Sequence, residues 1–241
     1  MGKKEIVKRY CVFIVGLLFT ALGVAFATKA GLGTSPISAI PYTMSLILPR
    51  LTIGNWTIIF NLLLVMGHMV ILHDEFRRPI FIVEVLITQA VVVTIFGYAI
   101  DFWMFCFDAL SPEMYILKIM LLLVSCVCIA FGIYLQLCSD VALLPGDLFN
   151  AAIAKVLNKE YGYVRVASDI VMSTTAAVLC LIFLGALIGV REGTIIACLI
   201  VGNIINFFNR HFQKFNYWLL PENKMRTAAA AKENGTANDN L

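Results

Sequence analysis

The sequence predicts an all-α fold: a polytopic membrane bundle of six transmembrane helices, built from two inverted three-span repeats, each with a re-entrant or short broken helix. Three observations predict it. First, the 241 residues are 61% hydrophobic and only 14% charged, with a mean hydropathy of +0.89, whereas soluble domains carry about 25% charged residues. Second, the charges cluster and leave apolar runs near the ~20 residues that cross a bilayer. These runs are continuous rather than alternating, which argues against a barrel. Third, the breakers recur. Gly23 to Gly132 and Pro36 to Pro145 span the same 109 positions, the mark of an internal duplication.

The first span is Tyr10 to Thr28. Lys3, Lys4, Lys8 and Arg9 before it, with Ala25-Phe26-Ala27 near its end, give the outline of a signal peptide. The run is long enough to cross, however, and it holds Gly23 of the duplicated pattern, so it is expected to remain as a span. The stretch Gly31-Leu32-Gly33-Thr34-Ser35-Pro36-Ile37-Ser38 then interrupts the helix. Ser35 before Pro36 has the form of an N-cap followed by proline at the first helical position. A short amphipathic helix over 38–48 is expected next, too short to cross alone. Asn55–Leu72 and Pro79–Phe102 are the second and third spans, divided by the charged turn from His73 to Arg78.

After an acidic connection from Phe107 to Glu113 the pattern repeats. Tyr115–Leu137 is the fourth span. The second break runs from Asp140 to Asp147 and leads into a short helix over 147–157 and a turn from Asn158 to Gly162. Tyr163–Leu187 and Glu192–Phe208 are the fifth and sixth spans. Residues 1–106 thus form the first repeat and 107–220 the second. Residues 221–241 are rich in Ala, Asn and Lys with no apolar face, and are expected to be a disordered tail.

Basic residues set the expected orientation. Six spans put both termini on one side, together with Lys3, Lys4, Lys8, Arg9, Arg77, Arg78, Lys155, Lys159, Arg210 and Lys214. Both termini are therefore expected to be cytoplasmic. If the short helices crossed, the repeat would be parallel and Lys155 and Lys159 would fall outside, so the inverted arrangement fits better.

Matched helix breaks point to function. A helix interrupted in lipid leaves backbone N–H and C=O groups unpaired, so the break must line a polar cavity or be buried in protein. Breaks at corresponding places in two halves are the sequence pointer to a transporter's binding site. The candidate solute-binding residues are Gly33, Thr34, Ser35, Ser38, Asn61, Gly146, Asp147 and Asn150. Two short-helix starts aimed inward would suit an anion. Asp147 pulls the other way: it either caps its own helix or carries a proton or cation. Asn61 matches Asp169, 108 positions on, and an intramembrane Asp is costly and usually functional. Asp169, Asp147 and Glu84 are the candidates for proton or ion coupling. The bland alternative for Asp169 is a helix–helix hydrogen bond, and for the lone His68 a helix–helix contact.

Other classes find little support. The seven cysteines lie mostly in apolar runs, as small hydrophobes. There is no nucleophile elbow, no phosphate-cradling loop and no His/Cys metal spacing, so neither an enzyme nor a cofactor or metal is expected. A net charge of +3 without a basic stripe argues against nucleic acid. The expected partners are the lipid bilayer and a small-molecule solute. Ala176, Ala177, Gly185 and Ala186 suit either a homodimer contact or packing inside the bundle.

Lys29 to Ser38, Leu144-Pro145-Gly146-Asp147 and Arg191-Glu192-Gly193-Thr194 together resemble the YczE-like bacterial membrane proteins, and more loosely the YitT-like group, over nearly the whole chain except the tail. The resemblance implies a bacterial inner (plasma) membrane protein and a small-molecule transporter, and it brings no substrate. The leading expectation is a secondary transporter working by alternating access at a midplane site. A passive channel and a non-transporting regulatory or scaffold protein are the alternatives.

Overall fold

The structure is a computed structural model and describes residues 3–71, 79–110, 112–139, 141–142, 144–159 and 161–212. For residues 3–4, 79–85, 161–162, 206 and 209–210 it describes the backbone alone. The charged turn between the second and third spans, Asp140 and the expected tail therefore lie outside the described residues, as does the side chain of Glu84.

Among the described residues eight α-helices follow one another: α1 (Lys3–Ala30), α2 (Pro36–Ile47), α3 (Ile53–Ile71), α4 (Pro79–Cys106), α5 (Tyr115–Ser139), α6 (Pro145–Val156), α7 (Tyr161–Leu184) and α8 (Glu192–His211). Five are long and apolar enough to cross a membrane: α1, α3, α4, α5 and α7. The apolar stretch of α8, Glu192–Ile205, is shorter. Both short helices start two residues before the expected positions, at Pro36 and Pro145. Proline has no N–H to satisfy and its φ is preset, so it opens a helix more readily than it continues one.

The core is α1 laid along α5. Gly16 rests against the carbonyl of Gly132, and Gly23 against the carbonyl of Ser125. As the chain advances along α1 the contact recedes along α5, so the two helices are antiparallel. A Cβ on Gly132 would sit 2.6 Å from the Gly16 oxygen. In lipid, where no hydrophobic force drives helices together, such close backbone approach supplies the packing. A polar clasp closes the seam: Gln136 Nε2 donates to Thr20 Oγ1 at 2.9 Å, and Thr20 Oγ1 donates to the Gly16 oxygen at 3.0 Å.

The other helices attach in pairs. α4 runs parallel to α1, burying Phe13, Leu17 and Val24 against Val92, Phe96 and Ile100. Trp103 Nε1 donates to the Leu18 oxygen at 3.2 Å, and Lys29 meets Asp108 at 3.1 Å. α8 runs beside α5, where Phe131, Tyr134 and Phe208 form an aromatic cluster and Tyr134 donates to the Phe212 oxygen at 3.0 Å. α3 packs on α4 through Gly54 and Gly97. Asp101 caps α3 there, accepting from Thr52 Oγ1 at 2.6 Å and from the Gly54 N–H at 2.9 Å. α2 lies against α3 and α7, and α6 against α3 and α7. The principal contacts thus join α1, α4, α5 and α8 in one group and α2, α3, α6 and α7 in another, with α3 on α4 as the main bridge.

Candidate functional site

The first break is held by the start of α8. Gly31 and Gly33 adopt φ +66° and +96°, left-handed values that cost most residues about 1–2 kcal/mol. The Gly193 N–H donates to the Leu32 oxygen at 2.8 Å, the Thr34 N–H to the Gly189 oxygen at 3.4 Å, and Arg191 Nη1 to the Gly31 oxygen at 3.3 Å. Gly33 leaves no room for a Cβ, because Thr194 Oγ1 and the Arg191 nitrogen stand against it. The Gly31–Pro36 and Arg191–Thr194 motifs are therefore one interlocked unit, and Gly33 and Thr34 serve it. Thr34 is 1% exposed. Ser35 occupies the N-cap position of α2, but its hydroxyl makes no capping bond and instead donates to Ser38 Oγ at 3.2 Å.

The second break leads to charge. Leu144 takes the N-cap position of α6, so Asp147 lies inside the first turn and does not cap its helix. Its Oδ1 accepts from Arg165 Nη1 of α7 at 2.7 Å, in an ion pair with side-chain exposures of 19% and 37%. Asp169 follows Arg165 by one helical turn and feels the charges of both Arg165 and Asp147. Two of the predicted coupling acids thus lie near one cation, with which Asp147 pairs. Arg165 is a residue of this group that the sequence reading did not single out. The available signal was a basic residue four positions before an acid inside an apolar span, which is pair spacing on a helix.

The two breaks meet at their helix starts. A Cβ on Gly146 would collide with Ile37 Cδ1 and would lie 4.0 Å from Leu64 Cδ1. Ile37 and Gly146 are themselves separated by the 109-residue shift. The positive ends of the α2 and α6 dipoles therefore converge, and the apolar Ile37 lies between them. Asn150, one turn beyond Gly146, is buried, and its side-chain oxygen accepts no hydrogen bond among the described residues. Asn61 is also buried and donates to the Thr57 oxygen at 2.8 Å. His68 does make a helix–helix contact, through Nδ1 and the Leu148 oxygen at 3.1 Å. Arg9, expected in the flanking basic run, is buried at 3% exposure and pairs with Glu5 at 3.4 Å.

Comparison with known proteins adds a family. Residues 7–210 match a family of unknown function, DUF6198. The chain belongs to this family. Among curated proteins, this DUF6198 chain is similar to the uncharacterized protein YyaS of Bacillus subtilis (strain 168), at 24% identity over 213 residues, covering 86% of this chain and 98% of that one. Neither match carries the YczE-like or YitT-like name that the motifs suggested. No solved structure matches. The family match covers both breaks and the Asp147–Arg165–Asp169 group, and it brings no activity with it.

Proposed function

We propose that this protein is a secondary transporter of a small solute, suited to an anion, which moves by alternating access at a site between two inverted repeats. One observation carries the reading. α1 and α5, matched by the 109-residue shift, pack antiparallel about their own matched residues: the Gly16–Gly132 contact maps onto the Ser125–Gly23 contact. An in-plane pseudo-two-fold axis requires this relation, and transporters with inverted repeats are built on such an axis. The other pairings exchange under the same operation: α2 on α7 with α6 on α3, α1 on α4 with α5 on α8, and α2 on α3 with α6 on α7. α8 serves as the sixth span, since its 20 residues give about 30 Å of helix. On this reading both termini lie in the cytoplasm and the protein in a bacterial plasma membrane, in keeping with the distribution of basic residues.

On this reading Arg165 attracts the anion, Asp147 holds Arg165 in place when no anion is bound, and Asp169 carries the coupling proton. The converging starts of α2 and α6 add backbone N–H groups to the site. The reading is tested in proteoliposomes. Small carboxylates and inorganic phosphate are first ranked by thermal shift of the purified protein, and the best are assayed for uptake. Saturable uptake driven by an inward proton gradient and abolished by Arg165→Gln is expected. Uptake that is unchanged in both Arg165→Gln and Asp169→Asn and indifferent to pH would remove the mechanism.

A second reading, a non-transporting scaffold or regulatory protein, has one observation in its favour. Ile37 fills the place where the two helix starts meet. It predicts that no small solute shifts the unfolding temperature.

A further inference from the structure

One seam breaks the symmetry of the pairings. α3 closes on α4: a Cβ on Gly97 would lie 2.7 Å from the Gly54 oxygen and would strike the Ile58 side chain. The corresponding helices, α7 and α8, form no comparable seam among the described residues. Gly202, the counterpart of Gly97 at 105 positions on, has nothing within 4 Å. Burial shows the same difference. Thr57 and Asn61, beside the closed seam, are 3% and 4% exposed. Their counterparts 108 positions on, Arg165 and Asp169, are both partly exposed. Chemistry follows burial. Ser38, Thr57 and Asn61 are neutral, whereas the matched Asp147, Arg165 and Asp169 are charged, and charge is tolerated where water or a ligand can reach it.

We infer that the α7–α8 seam is the gate to the Asp147–Arg165–Asp169 group, open in this structure, and that it closes when the α3–α4 seam parts. The inference rests on the carrier reading above. Two halves with the same element order can each adopt the arrangement the other holds, so the second end state is the first with the halves exchanged. Gly202 gives α8 the same freedom to approach α7 that Gly97 gives α4 to approach α3. In the exchanged state Thr57 and Asn61 become accessible while Arg165 and Asp169 are covered.

The test uses the full chain in lipid nanodiscs, with the exposed Cys11, Cys106 and Cys198 replaced by alanine and Thr57→Cys as the reporter. Labelling by a water-soluble maleimide is followed with and without Gly202→Leu, a side chain the open seam accommodates and the closed one does not. Slow labelling of the reporter, lost in Gly202→Leu, is the expected result. Equal labelling in both chains overturns the gate and leaves a carrier with two-sided access standing. No labelling in either chain overturns the carrier reading together with the gate.

Discussion

Replacing Gly132 with alanine adds one methyl group at the tightest point of the α1–α5 seam. In an open helix the change is favourable, because alanine is about 1 kcal/mol better than glycine. Here the new Cβ would stand 2.6 Å from the Gly16 oxygen and 2.6 Å from the Thr20 nitrogen, and it would strike Thr20 Oγ1. Two of these atoms are backbone, so the clash is relieved only by moving one helix off the other. Overpacking of this kind costs about 1–3 kcal/mol. Separation also strains the Gln136–Thr20 hydrogen bond, worth about 0.5–1.5 kcal/mol. The net expectation, combining these terms, is a loss of about 1–3 kcal/mol. Gly202→Ala is the internal control: it makes the same chemical change in a helix with nothing within 4 Å, and should be neutral or stabilising by up to about 1 kcal/mol. Unfolding in mixed detergent–SDS micelles, followed by far-UV circular dichroism, measures both. If Gly132→Ala unfolds at or above the wild-type midpoint, the close antiparallel packing of α1 on α5 is wrong.

Other expectations use the same measurement. Gly33→Ala combines an unfavourable φ of +96° with contacts at Thr194 Oγ1 and the Arg191 nitrogen, and should cost about 2 kcal/mol or more. Gly31→Ala, left-handed but open, should cost only about 1–2 kcal/mol. Equal effects at the two positions would refute the interlock with α8. Asp101→Ala removes the acceptor that caps α3, for a loss of about 1–2 kcal/mol. Thr52→Val should lose part of the same amount, and the double variant should be less than additive. Arg165→Ala should destabilise by about 1 kcal/mol, the ion pair being partly solvent-screened, and Asp147→Asn in that background should recover some of it. Additivity across the Arg165 and Asp147 variants would show that the two side chains do not interact.

Much of the architecture was legible in local chemistry. The two prolines marked the starts of α2 and α6 because a residue without an N–H belongs at a helix opening. Gly31 and Gly33 marked the first break because it needs positive φ twice. The roles of individual polar residues were less legible. Asp147 is a strong cap by type, but Leu144 holds that position, and the carboxylate is taken by a side chain 18 residues later. Gly33 and Thr34 were singled out as solute ligands because they belong to a break; the neighbours that hold them, Gly189, Arg191 and Thr194, come from the α7–α8 connection and the start of α8 and leave no local trace. Glu84 lies where side chains are not described. A residue's type states which bonds it can make, and its partner depends on which distant element arrives beside it.

The sequence alone pointed to an all-helical chain with several helices long and apolar enough to cross a membrane, and with two short helices at places related by one shift. That much follows from the local cost of burying backbone and charge in lipid, which any single segment reports. Only the tertiary structure decided that α1 and α5 run antiparallel through a glycine seam, that Arg165 pairs with Asp147, and that α3 closes on α4 through Gly54 and Gly97. These are relations between different helices, from 18 to more than a hundred residues apart in the chain. They depend on which surfaces fit at van der Waals distance, and a missing Cβ at Gly16 or Gly132 acquires meaning only when the other helix is there to fill the space.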